Sequence, residues 1–297
     1  MSQIGRVLTA MVTPFEENMR LDYQQSRTLA SHLIASGSDG LVVSGTTGES
    51  PTLTTDEKLR LFQEIREELG TTGQIIAGVG NYSTSESIDL AKEAEAIGVD
   101  GLLLVVPYYN KPPQEGLYQH FKAIASSTSL PCILYNVPSR TITNLESATT
   151  VRLSEIDNII GIKEASGDLA QIARIHTSTH SDFKIWSGND SDTYPLVSLG
   201  GYGVISVASH LVGNQIKEII QLTLDEDVAA AQVKHLDLMP LFTGLFWMSN
   251  PIPVKYALNK IGFPVGPTRL PLTEMDPDLA RKLDEILAAC TIDIQTP

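Results

Sequence analysis

Cysteine is scarce in this 297-residue chain. The two present, Cys132 and Cys290, form no metal-ligand spacing and are too few for a disulfide framework. Cys132 lies in the apolar run Cys132-Ile133-Leu134, where a thiol reads as a small buried hydrophobe, and a reducing cytoplasm is the expected compartment. Basic residues are also few: 21 Lys and Arg face 35 Asp and Glu, a formal net charge of -14. Without a basic block, nucleic acid and anionic membranes are poor partners, because both demand clustered cations. No apolar run reaches the roughly 18 residues of a membrane span. The opening MSQIGRVLTAMVTPF has neither a basic leader nor a long apolar stretch, so no signal peptide is expected.

What the chain does have is one unit repeated eight times: a short β-rich run, a polar loop, then a helical pattern. The runs begin near Val7, Leu41, Ile75, Leu102, Cys132, Ile159, Lys184 and Gly203. They are apolar and β-branched without clean polar alternation, as strands covered on both faces are. Thr54 to Glu57 and Ser83 to Glu86 both have capping-box spacing, and Gly70 is a natural stop for the first of these helices. Eight such units predict an α/β fold, a (β/α)8 TIM barrel. An open doubly wound sheet would more often carry a phosphate fingerprint after its first strand, and none is present. After Leu224 three helical stretches follow without strands: Val228 to Met248, one starting near Pro251, and Pro277 to Cys290. The expected organisation is a barrel over 1–224 with a C-terminal three-helix region, 225–297, packed on it.

In such barrels the loops after the strands build the active site. Lys163 stands out because it ends the run Ile159-Ile160-Gly161-Ile162, where the chain is still barrel wall. Lost hydration there would lower its pKa, and a neutral amine can attack a ketone to form an imine that serves as an electron sink. By position alone, a lysine that has left the strand and reaches solvent is equally open. Gly45-Thr46-Thr47-Gly48 can present adjacent amides to one carboxylate, although an ordinary glycine turn is the plainer reading of it alone. Arg140, after a turn proline, offers a fork for a second carboxylate or a surface ion pair. Tyr135 ends a strand. Tyr108 and Tyr109 are adjacent, so in extended chain only one can face a given site. His176 and His180 are four apart but lack the acidic partner of a zinc-protease helix, and no metal site is expected.

With these residues assembled, the chain resembles the dihydrodipicolinate synthase family of pyruvate-dependent class I aldolases. The likeness runs from LTAMVTPF to NPIPVKYAL and RLPLT, through GTTGES, VPYYNKPPQEGLYQHF, LYNVPSRT and GIKEASGDL. It implies that Lys163 forms an imine with pyruvate, whose enamine adds to the aldehyde of aspartate-β-semialdehyde. Thr46, Tyr135 and Tyr109 would relay protons, with Tyr109 delivered by a neighbouring subunit. Amides of Thr46 and Thr47 would hold the pyruvate carboxylate, and Arg140 the semialdehyde carboxylate. Gly188 and the Ile205 carbonyl would line the pocket. No metal or organic cofactor is implied, and the family's homotetramer, a dimer of dimers, is the expected assembly.

Lysine-inhibited members carry histidines in the helix after GTTGES, where this chain has Pro51 to Lys58 and none. Ser50, Tyr82, Glu86 and Tyr108 remain candidates for an inhibitor site, but Lys58 would oppose a cationic ligand, so weak or absent lysine feedback is expected. Rival readings are N-acetylneuraminate lyase, a 2-keto-3-deoxy sugar acid aldolase or dehydratase, and a non-catalytic keto-acid-binding barrel. Arg140 argues against the sugar substrates, which need hydroxyl partners. A mere binder has no need of a desolvated amine beside phenols.

Overall fold

The computed structural model describes residues 3–297. Eight parallel strands close in sequence order into a barrel: β1 (Val7–Ala10), β2 (Gly40–Val43), β3 (Gln74–Gly78), β4 (Gly101–Val105), β5 (Cys132–Asn136), β6 (Ile159–Glu164), β7 (Lys184–Ser187) and β8 (Gly203–Ser206). All eight fall on the predicted runs. The uniform apolarity that hid any alternation comes from burial on both faces. Leu8, Val42, Ile76, Leu103, Ile133, Trp186 and Ile205 form an inner cluster, while their neighbours Val7, Leu41, Ile75, Leu102, Leu134 and Val204 pack outward under the helices.

Trp186 is fully buried within the barrel, and its indole N–H donates to the Gly5 carbonyl at 3.0 Å. Gly161 makes the room: a Cβ there would lie 2.8 Å from the Trp186 ring and 2.2 Å from the Lys184 carbonyl oxygen. The helices start where their caps predict. Thr54 and Glu57 form a complete capping box at Thr55–Leu69, which ends at Gly70. At Thr84–Ile97 the box is half made: Ser83 accepts from the Glu86 amide, while the Glu86 carboxylate accepts from Asn81 Nδ2.

Ser209–Leu224 is the helix after β8, and Val228–Gly244, Ile252–Lys260 and Pro277–Ala289 follow. The first of these three stops short of the predicted Met248, because Phe246 and Trp247 bond back three residues rather than four, tightening the chain into turns. Leu283 and Leu287 are buried and Leu279 packs beside them, so the expected apolar face of the last helix is present. Among the described residues no helix is long and apolar enough to cross a membrane.

Candidate active site

Strand parity decides where the functional side chains point. Ile133 and Tyr135 of β5 face the barrel axis. In β6 a register irregularity at Ile160 breaks the alternation, so Ile159 and Ile162 both pack outward while Gly161 and Lys163, paired with the inward Ile133 and Tyr135, face in. Lys163 is only 5% exposed, its Cα partners are Tyr135 and Trp186, and its Nζ lies 4.4 Å from the centre of the Tyr135 ring. Among the described residues no carboxylate pairs with it; the lysines that form ion pairs are Lys217, Lys234, Lys255 and Lys260. The open question about Lys163 is thus answered by geometry: it has not left the strand for solvent.

Beside it, at the carboxyl ends of β2 to β5, is a cavity of about 210 Å³. Its wall includes Thr46, Ser50, Tyr108, Tyr135 and Arg140, while Lys163 stands next to the Tyr135 ring rather than in the wall. Arg140 is exposed and has no ion pair among the described residues, so the routine surface explanation for it does not apply.

The Gly45–Ser50 loop is a closed turn. The Glu49 amide donates to the Thr46 carbonyl at 3.1 Å and the Ser50 amide to the Gly45 carbonyl at 3.2 Å. Ser44 (φ 60°) and Glu49 (φ 56°) bracket it in left-handed backbone that non-glycine residues rarely adopt. The Thr47 side chain is buried and accepts from Asn250 Nδ2 at 2.8 Å.

Gly188 and Ile205 lie across the barrel mouth on the β7 and β8 side. The Gly188 amide donates to the Glu164 carbonyl at 2.7 Å, and a Cβ on Gly188 would sit 2.5 Å from that of Ala165. Only glycine lets this loop approach the end of β6. Ile205 belongs to the inner cluster with Tyr135. Tyr109 is not brought into the cavity: its ring is 92% exposed and its φ is 71°, while Tyr108 turns inward. A neighbouring cavity of about 480 Å³ gathers Ser50, Tyr82, Glu86 and Tyr108 with Lys58, and the Tyr82 and Tyr108 rings meet edge to face at 5.2 Å. Burial pulls the Lys58 ammonium down from its ordinary value, opposed by Glu86. His176 and His180 are elsewhere, by Arg6 and Tyr202 at the amino ends of the strands.

Sequence reasoning passed over several buried polar groups around the site. Asp190, three residues after Ser187, accepts from the Ser206 hydroxyl and from the Val207 and Ala208 amides at 3.1 and 3.0 Å, tying the β7 loop to the end of β8. Burial raises its pKa, against those bonds and the Lys163 charge. Glu164, next to Lys163, faces outward and accepts from Asn136, Gln171 and the Ser166 amide. Its carboxyl is also raised by burial. An acid directly after a strand-end lysine was the available signal for Glu164. Lys255, read only as part of a late motif, is 2% exposed and pairs with Glu49.

Comparison of the whole chain with known proteins gives one family. The model of the Dihydrodipicolinate synthetase family matches residues 3–290. The chain belongs to that family. It is 56% identical over 294 residues to the 4-hydroxy-tetrahydrodipicolinate synthase of Dehalococcoides mccartyi (strain CBDB1), covering 99% of both chains. The crystal structure of the Cyanidioschyzon merolae enzyme with lysine bound superposes with a TM-score of 0.95 at 47% identity, over 96% of this chain and 98% of that one. That of the Acinetobacter baumannii enzyme complexed with pyruvate gives 0.94 at 39%, over 97% and 99%. The chain is therefore a lyase with 4-hydroxy-tetrahydrodipicolinate synthase activity, of the diaminopimelate route to lysine, and the sugar-acid and non-catalytic readings are set aside.

Proposed function

We propose that Lys163 is the amine that condenses with pyruvate, and that aspartate-β-semialdehyde is the second substrate. The observation that carries this reading is a buried, inward-facing lysine with no paired carboxylate among the described residues, register-matched to a phenol at the mouth of the barrel. Lys163 Nζ attacks the pyruvate C2 carbonyl, and loss of water leaves the imine. Loss of a C3 proton then gives an enamine, the imine nitrogen having accepted the electron pair. C3 adds to the aldehyde carbon of the semialdehyde, whose oxygen takes up a proton and becomes the 4-hydroxyl. The semialdehyde amine closes on C2 and expels Lys163.

Tyr135, Thr46 and a neighbouring subunit's Tyr109 relay these protons. The Thr46 and Thr47 amides hold the pyruvate carboxylate, and Arg140 holds that of the semialdehyde through paired N–H donors. Gly188 and the Ile205 carbonyl shape the far wall. No organic cofactor or metal takes part, because the lysine is itself the electron sink. The working unit is a cytoplasmic homotetramer, a dimer of dimers, each chain a barrel over 1–224 carrying its helical region 225–297. Borohydride reduction in the presence of pyruvate, read by peptide mass spectrometry, tests the central step. A reduced adduct on Lys163 is expected, and its absence would remove the reading. A coupled assay offering aspartate semialdehyde or N-acetylneuraminate tests the acceptor.

A further inference from the structure

Two non-glycine residues at the ends of the Gly45–Ser50 loop, Ser44 and Glu49, are in left-handed backbone, which is unfavourable for L side chains. The loop's own sequence does not favour this shape, so something outside it must hold it. The restraints come from two directions. From the segment after β1, the Thr13 hydroxyl donates to the Gly48 carbonyl at 2.7 Å. From the C-terminal region, Asn250 Nδ2 donates to the Thr47 hydroxyl, and the Arg269 amide donates to Glu49 Oε2 at 2.8 Å. Glu49 Oε1 meets Lys255 Nζ at 2.7 Å, with side chains 1% and 2% exposed respectively.

A buried ion pair is an expensive way to fill space, since well-packed apolar residues of similar volume serve stability as well or better. Burial pulls Lys255 down to about 8 even with Glu49 beside it. The ammonium is further held by the Pro267 carbonyl at 2.7 Å and by the Phe15 ring, 4.2 Å from its centre. Such a group is fixed in direction as well as in place, and it acts on Glu49, in the turn whose Gly45, Thr46 and Ser50 border the cavity.

We propose that Lys255 and Asn250 are positioning residues for the pyruvate carboxylate: through Glu49 and Thr47 they hold the Gly45–Ser50 loop in the shape that presents its amides. The inference rests on the reading of the Thr46 and Thr47 amides given above. It makes the C-terminal helical region part of the substrate site rather than a packing appendage.

The test is a split between the two substrates. In Lys255→Met, folded as judged by circular dichroism, the KM for pyruvate should rise about tenfold or more, while that for aspartate semialdehyde stays within about twofold. Lys255→Arg keeps the charge and should lie nearer the wild type. The double variant Glu49→Gln/Lys255→Met, which leaves no lone buried charge, should regain thermal stability without regaining pyruvate affinity. A folded Lys255→Met with unchanged pyruvate KM, or with both KM values raised together, overturns the proposal. If Lys255→Met does not fold, Asn250→Ala decides: a pyruvate-specific rise of about threefold supports it and no change overturns it. Borohydride trapping on the wild-type chain separates the two levels. No adduct on Lys163 removes the underlying reading and the proposal with it, whereas an adduct with unchanged KM values removes the proposal alone.

Discussion

Lys163 and Tyr135 face each other across β5 and β6, with the amine 4.4 Å from the centre of the phenol ring. The ring gives the lysine a polarizable wall in a place where water is scarce, and the hydroxyl sits at the end of that wall. The two functions proposed for Tyr135 can be separated. Tyr135→Phe keeps the ring and removes only the proton carrier, so the borohydride adduct should still form while kcat falls by about 10²-fold, as for loss of a general acid-base group. Lys163→Met should give no adduct at all, with the barrel intact by circular dichroism. Equal loss of adduct in both variants would mean that the hydroxyl is needed to build the imine.

Tyr109 presents the opposite geometry, a large ring 92% exposed on left-handed backbone. Such a conformation costs free energy, and the ring gains little packing against the described residues of its own chain. In the proposed assembly a neighbouring subunit receives that ring, and the site would then depend on assembly. Specific activity should fall as the protein is diluted into the range where subunits separate, with sedimentation velocity run in parallel. Tyr109→Phe should lower kcat in the assembled protein. A fully active monomer would contradict this.

The sequence was readable where one physical rule acts alone. Buried strands need apolar β-branched residues, so all eight runs were visible, and helix caps marked Thr55–Leu69 at both ends. Lys163 was visible because a charge at the end of such a run is an anomaly. Which face it occupied was hidden, since strands apolar on both sides show no alternation, and parity emerged only from the inner and outer clusters. Residues coupled over long separations were hidden too. Glu49 and Lys255 are 206 positions apart, and nothing near either indicates the other. Tyr109 was placed outside its own chain's site by family resemblance rather than by any local signal.

The cavity beside the site bears on regulation. Ser50, Tyr82, Glu86 and Tyr108 line it, and Lys58 projects among them on the helix that follows the GTTGES loop. A cationic ligand entering there would meet an ammonium already desolvated, with Glu86 shared between the two charges. L-lysine should therefore give no submillimolar inhibition in a steady-state assay. Lys58→Gln, which removes the opposing charge and keeps a long polar side chain, should increase any lysine sensitivity. Submillimolar inhibition of the wild type would show that the cavity accepts a cation despite Lys58.

His210 predicts how stability varies with pH. It is fully buried at the start of the helix after β8, where Nε2 accepts from the Val12 amide at 3.1 Å and Nδ1 bonds the Val207 carbonyl at 2.8 Å. An acceptor role for Nε2 requires the neutral ring with its proton on Nδ1. Burial holds the pKa down to about 4, although the Val207 carbonyl favours the charged form. The unfolded chain takes up this proton near the ordinary value of about 6.5, and the folded chain refuses it until far lower. The unfolded state therefore binds more protons through this window. The histidine's contribution is complete above it and is lost as pH falls from about 6.5 toward 4, by about 3 kcal/mol in all. His120, which burial also holds down to about 4, acts in the same direction. His210→Asn keeps a donor for Val207 but leaves the Val12 amide unpartnered, so it should be less stable at neutral pH by about 1–3 kcal/mol. Its unfolding free energy should fall less steeply with acid, by up to about 1.4 kcal/mol per pH unit inside the window. Denaturant unfolding at fixed protein concentration between pH 4.5 and 7.5 (a range set by those two values) measures both slopes, and parallel slopes would show that His210 is already protonated in the folded chain.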